Sequence, residues 1–272
     1  MCLANILKFF GKKDEDEQLD GNIEENIETV IQEESEIDDD VEDVEMQEEE
    51  AIEEEENLSA TNTTGKRMKI LVDNGHGYNT PGKRSPYSAK GVEPAIEFYE
   101  YKWNREIAKP IVEGLVSRGY DAELIVTEDS DIPLRERARR VNAICNKVGT
   151  SNVIFISIHA NAAGIGSKWM NAKGWCAFTS KGTTKSDTIA EYLYDEAEKN
   201  FKGRQIRKDM SDGDRDWEAN FTVLAETKCP AVLSENFFYD NADDVQYILS
   251  QEGRNAVIKT HVDGIINYLN SL

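Results

Sequence analysis

Two of the three histidines in this 272-residue chain close apolar runs. His76 follows Met68-Lys-Ile-Leu-Val-Asp73 within Asp73-Asn-Gly-His-Gly77, and His159 ends Val153-Ile-Phe-Ile-Ser-Ile-His159 ahead of Ala160 and Asn161. An imidazole that closes a buried strand needs a partner, because an unsatisfied buried polar group costs about 1–3 kcal/mol. A metal ion is one such partner, and two histidines with one carboxylate and an open fourth position form a standard hydrolytic zinc set. Gly75 and Gly77 suit such a site, since residues without Cβ allow a sharp turn and a close approach to the imidazole. Glu93, Glu97 and Glu100 all lie where the loop after His76 enters a helix, and residue type alone does not choose the third ligand among them. Glu235, in Val232-Leu-Ser-Glu-Asn-Phe237, closes another apolar run. There it can serve as general base toward water and then pass the proton to a leaving amine. Metal-assisted amide hydrolysis is the chemistry that these residues support. His261, beside Lys259 and Asp263 in the terminal helical pattern, reads as a helix-face residue.

The elements that must position these groups follow from hydrophobic patterning. Strand-like runs cover 68–73, 121–127, 152–159, 174–180 and 231–235, and helical patterns cover 97–118, 134–148, 185–201, 243–250 and 252–269. The alternation predicts an α/β fold: a single three-layer domain with a mostly parallel twisted sheet flanked by helices. Ligands of such sheets gather beyond the carboxyl ends of the strands, where His76, His159 and Glu235 fall. Pro110 is expected to kink or end its helix. Arg135, Arg137, Arg139 and Arg140 form a basic helix face for which solvation is the default. Asn241 ahead of Asp243 and Asp244 reads as a helix N-cap. Trp169, Trp175 and Trp217 flank glycine-containing loops, where core packing and stacking on a sugar or peptide are both open.

The formal charge of -22 is concentrated in one stretch. Asp14 to Gly65 holds 24 of the 53 acidic residues and no Lys or Arg, leaving 29 acidic and 31 basic residues elsewhere. No Phe, Tyr or Trp occurs between Gly11 and Gly77. A segment so charged and so poor in large apolar groups cannot offset the entropy of ordering, so 14–65 is expected to be a disordered acidic tail and linker. Ahead of it, Leu3, Ile6, Leu7 and Phe10 share one helical face, making 1–13 a short amphipathic segment. The catalytic domain then spans 66–272. Its near-neutral balance argues against nucleic acid as a partner, and the tail points instead to a basic partner. No apolar run approaches the roughly 18 residues of a stable membrane span. The four cysteines are far apart with no C-x-x-C pair, which fits neither a disulfide framework nor a thiolate zinc site. No secretory signal is recognisable at the N-terminus, so synthesis in the cytoplasm is expected.

Four motifs stand in one order: Asp73-Asn-Gly-His-Gly77, Glu100 with Asn104, Phe155-Ile-Ser-Ile-His-Ala-Asn161, and Leu233-Ser-Glu-Asn-Phe-Phe-Tyr-Asp-Asn241. Together they resemble the zinc-dependent N-acetylmuramoyl-L-alanine amidases of bacterial autolysins and phage endolysins, over about 68–272. The resemblance implies one Zn2+ held by His76, Glu100 and His159, with Glu235 as catalytic acid and base. It selects Glu100 because the family's ligand glutamate is followed four residues later by asparagine. It also implies peptidoglycan as the substrate, cut between the lactyl group of N-acetylmuramic acid and L-alanine of the stem peptide. The loop Asn79-Thr-Pro-Gly-Lys-Arg-Ser-Pro86 is similar to that of phage-type members, which implies a lysin released to the cell wall; an exported host enzyme is the alternative. Two other readings stand beside this one: a zinc amidohydrolase or peptidase acting on a different amide, and a noncatalytic protein acting through the acidic tail. One departure concerns substrate holding, because Ala225 and Glu226 stand where many relatives carry an arginine.

Overall fold

A computed structural model describes residues 68–272; the expected amphipathic segment and acidic tail lie outside the described residues. In chain order the elements are β1 (Lys69–Asp73), α1 (Glu100–Ser117), β2 (Asp121–Leu124), α2 (Leu134–Val148) and β3 (Val153–Asn161). They continue as β4 (Cys176–Thr179), α3 (Lys185–Asn200), β5 (Trp217–Glu218) and α4 (Thr222–Ala225). The last three are β6 (Ala231–Phe238), α5 (Ala242–Leu249) and α6 (Gln251–Asn270).

The sheet runs β2-β1-β3-β6-β4-β5. β2, β1, β3 and β6 are parallel, whereas β4 is antiparallel to β6 and takes β5 as a parallel neighbour. The carboxyl ends of β1, β3 and β6 therefore share one edge with the start of β4, where Cys176 lies opposite Glu235. All residues of β3 and β6 are buried, because helices cover both faces and such strands read as continuous apolar runs. Ile70, Val72, Ile154, Ile156 and Val232 join a layer with the apolar stripes of α1, α3, α5 and α6. Leu71, Val153, Phe155 and Leu233 face the other way, against Val141 and Cys145 of α2 and Val223 and Leu224 of α4. This is the three-layer arrangement expected from the alternation of elements.

Local expectations fare unevenly. Asn241 caps α5, its side-chain oxygen accepting from the backbone N–H of Asp243 and Asp244 at 3.1 Å each. α1 continues through Pro110 to Ser117 instead of ending there. Trp175 is a core residue, edge-on to Tyr194 at 4.9 Å, while half-buried Trp169 ties two loops by donating to the carbonyl of Pro94. Two readings are corrected. His261 does not face solvent but is fully buried, and Arg137 turns into the protein instead of joining a solvated face. The remaining α2 arginines are on the surface but paired, Arg135 with Glu226, Arg139 with Glu136, and Arg140 with Glu128 and Glu136. No helix among the described residues is long and apolar enough to cross a membrane.

Candidate metal centre and active site

The loop after β1 is built by what packs against it. Gly75 has φ +24, and a Cβ there would lie 2.4 Å from the His159 ring. The close approach anticipated at this glycine is thus made by the second histidine. His76 itself adopts φ +60, a left-handed conformation that costs a non-glycine residue of the order of 1–3 kcal/mol. Two arginines hold it there. Arg105 and Arg137 each donate from Nη2 to the His76 carbonyl, at 3.2 and 3.1 Å. Arg137 also donates to the Ile132 carbonyl at 2.8 Å, to Asp131 at 3.0 Å and to the buried Asp73 carboxylate. The other Asp73 oxygen accepts from Ser157 Oγ of β3 at 2.7 Å, so β1, β3 and α2 meet in one network beneath the loop. Sequence reasoning missed this network. One signal was legible: Arg137, Val141 and Cys145 are four residues apart, which puts the arginine on the buried stripe of α2.

Glu100 is the first residue of α1 and is 1 % exposed, whereas Glu93 and Glu97 face solvent. Its Oε1 lies 3.3 Å from His76 Nε2 and 3.1 Å from His159 Nδ1, and accepts from the N–H of Ala160 at 3.1 Å. One turn further along the same helix face, Asn104 donates to the Gly75 carbonyl at 3.4 Å. The Glu-x-x-x-Asn spacing therefore lets one helix end reach both histidines and grip the loop that carries one of them. The imidazoles stand edge to face with centroids 4.8 Å apart. One ligand atom from each of His76, Glu100 and His159 falls within 4.8 Å of the others, and among the described residues no other His, Cys, Asp or Glu group meets that condition. Oε2 of Glu100 is buried without a hydrogen-bond partner, as is Oε2 of Glu235. A buried carboxylate oxygen with no donor, beside two imidazoles, fits a cation, and the nitrogen and oxygen donors suit zinc.

Charge is arranged to match. Burial alone would raise the Glu100 carboxyl, but charge on His76 and Lys83 and the His159 hydrogen bond hold it well below the usual carboxylate range. Burial lowers His76 despite the nearby Glu100; at His159 the bond and charge of Glu100 outweigh burial and the net shift is upward. Glu235 stands abreast of His159 in the β3–β6 register. Burial pushes its carboxyl up to about 7, with charge on His159 opposing and Glu100 adding to the rise. An unfolded glutamate ionises near pH 4.3, so the metal-free fold binds this proton more tightly than the unfolded chain, and the stability this group contributes is lost as pH rises from about 4.5 through 7. Glu235→Gln removes that loss. At about pH 8 the metal-free variant should exceed metal-free wild type by up to roughly 3 kcal/mol, with the gap closing near pH 4. Urea unfolding of chelator-treated proteins at both pH values measures this; equal stability at pH 8 refutes it.

A family model described as N-acetylmuramoyl-L-alanine amidase matches residues 70–267, which include all four groups. The chain belongs to this amidase family. The endolysin of Bacillus phage SPP1 is 31% identical over 206 residues, covering 74% of this chain and 66% of that protein. The N-acetylmuramoyl-L-alanine amidase CwlM of Bacillus licheniformis is 28% identical over 204 residues, covering 75% and 69%. The chain thus spans about two thirds of the length of these curated relatives. Among solved structures, the N-acetylmuramoyl-L-alanine amidase from Clostridium difficile 630 matches with a TM-score of 0.61 at 27% identity, over 76% of this chain and 99% of that one. Within this family member, the position noted for its missing arginine is the end of α4. There Glu226 accepts from Arg135 Nε at 3.1 Å, so that point carries an ion pair.

Proposed function

We propose that this amidase-family chain hydrolyses the amide between the lactyl group of N-acetylmuramic acid and L-alanine of the peptidoglycan stem peptide. One zinc ion would be held by His76, Glu100 and His159, with Glu235 as acid and base. The observation that carries the reading is the buried Glu100 carboxylate, one oxygen shared by two imidazoles and the other without a donor, at the sheet edge that also holds Glu235. Zinc, when bound, acidifies water and polarises a carbonyl. Glu235 is the chain's proton carrier. Burial raises its carboxyl in the metal-free fold and a bound cation opposes that rise, so the ionised group can accept a proton from attacking water and return it to the departing amide nitrogen. Glu100, Asn104 and the two arginines on the His76 carbonyl keep the histidines in place during that exchange.

The phage endolysin among the relatives supports action on the cell wall after lysin-type release. Metal analysis and muropeptide mass spectrometry on the full chain test the reading. Stoichiometric zinc, free lactyl carboxylates on the glycan and intact peptides beginning with L-alanine are expected. Cleavage of a different amide would establish another zinc amidohydrolase or peptidase. A zinc-free protein that binds a basic partner would establish the noncatalytic reading.

A further inference from the structure

The β3–β6 ladder breaks beside the candidate metal centre. His159 pairs with Glu235 and Asn161 with Phe238, so Asn236 and Phe237 together oppose Ala160. Phe237 has φ +67, a bulge conformation in a strand otherwise extended. At this bulge a side chain reaches across to the His159 carbonyl: Asn236 Nδ2 donates to it at 2.9 Å. The same Nδ2 donates to Ser234 Oγ at 2.9 Å, while the amide oxygen accepts from Trp175 Nε1 at 2.9 Å. Ser234 Oγ lies 2.8 Å from His261 Nε2, and His261 Nδ1 lies 2.8 Å from the Val257 carbonyl one turn back in α6. Ser234, Asn236 and His261 are all fully buried.

The direction of every bond in this chain is determined. A carbonyl only accepts, so His261 Nδ1 carries the proton and Nε2 receives the Ser234 hydroxyl, whose lone pair is left for the Asn236 N–H. Burial keeps the imidazole neutral, pushing it down to about 4. The surrounding layer is apolar, with Val257, Val262 and Ile265 on α6. Polar groups there destabilise the fold unless each donor and acceptor is used, and removing one leaves the next unpaired. The far end of the relay is the peptide unit joining His159 to Ala160. Its carbonyl is held by Asn236 and its N–H by Glu100 Oε1, so one rigid plane connects the relay to two of the three candidate ligands.

We infer that His261 is a positioning residue of the metal centre, acting through Ser234 and Asn236 to set the His159–Ala160 peptide plane at the β6 bulge. The inference rests on the zinc reading given above. Its test uses the full chain as wild type, His261→Leu, Ser234→Ala and the double variant. Zinc affinity is read by chelator competition, kcat and KM on purified peptidoglycan, and thermal unfolding in parallel. Each single variant should weaken zinc roughly tenfold or more, the range seen when partners of metal ligands are lost. kcat should fall with KM little changed, and the double variant should be no worse than the worse single. Wild-type zinc affinity and kcat in both single variants, with only the melting temperature lowered, would make the relay purely structural and overturn the inference. Losses that multiply in the double variant would also overturn it, because the two residues would then act separately. If His261→Leu does not fold, the smaller Ser234→Ala change decides alone. A wild type that binds no zinc removes both this inference and the proposed function. A wild type that binds zinc and releases peptides beside unaltered variants removes this inference only.

Discussion

Replacing Glu235 by glutamine should lower stem-peptide release by about 10²–10⁴-fold, the usual worth of a positioned acid–base group, while zinc stays bound. The expectation rests on separation of roles within a small space. Glu235 is not among the three residues whose ligand atoms converge within 4.8 Å, yet it stands abreast of His159 and is buried. Glutamine keeps the size and shape of the side chain but exchanges one acceptor oxygen for an N–H donor and cannot take a proton from water. The loss should therefore fall on kcat, with zinc content and peptidoglycan binding preserved. Release within a few-fold of wild type by a zinc-loaded variant would assign the proton transfer elsewhere. Loss of zinc together with activity would instead make Glu235 part of the metal site.

Arg137→Met should be the most damaging single change away from the candidate ligands, at about 3–5 kcal/mol of unfolding free energy. Arg137 and Asp73 are each 1 % exposed and directly paired, so removing the guanidinium leaves a carboxylate buried with only Ser157 Oγ as donor. The same change removes a donor from the His76 carbonyl, in a loop whose left-handed histidine is retained only because its surroundings hold it. Zinc affinity should fall along with stability. Arg139→Met is the control: that side chain is 69 % exposed and bonds Glu136 on the surface, where such pairs contribute about 0–1 kcal/mol. Urea unfolding of the three proteins settles the matter, and a cost below about 1 kcal/mol at position 137 would show that the buried pair does not hold the loop. A further Asp73→Asn change in the Arg137→Met background should recover part of the loss by removing the uncompensated charge.

Much of the candidate site was legible before any coordinates, and for a definite reason. His76, His159 and Glu235 each follow or close an apolar run, which placed them near the carboxyl ends of strands, although β3 runs on to Asn161 and β6 to Phe238, past the expected ends at 159 and 235. A parallel sheet then brings those ends to one edge whatever the loops do. Glu100 was different. Glu93, Glu97 and Glu100 share one loop-to-helix passage, and only the resemblance chose among them until burial separated Glu100 from two exposed neighbours. His261 and Arg137 were read wrongly because a polar residue in a helix looks alike from the sequence whether it meets water or a partner on another element. The bulge in β6 was invisible for a related reason: Phe237 at φ +67 defies the preference of its own residue type, and only the paired strand reveals the extra residue.

By itself the sequence determined the α/β alternation, the polar groups near the carboxyl ends of the strands, and the segregation of negative charge into one stretch. Those features depend on periodicity and composition over a few residues, where backbone sterics and hydrophobicity act locally. The tertiary structure brought Glu100, which only the family resemblance had singled out, against both histidines, and it alone decided why Gly75 must lack a side chain and what anchors the His76 loop from below. Those outcomes depend on contacts between distant parts of the chain: Glu100 with His159 across 59 positions, Arg137 with Asp73 across 64, and Asn236 with the His159 carbonyl across 77. A buried charge or amide is tolerated only where such a partner arrives, and the arrival of that partner is a property of the packed layers.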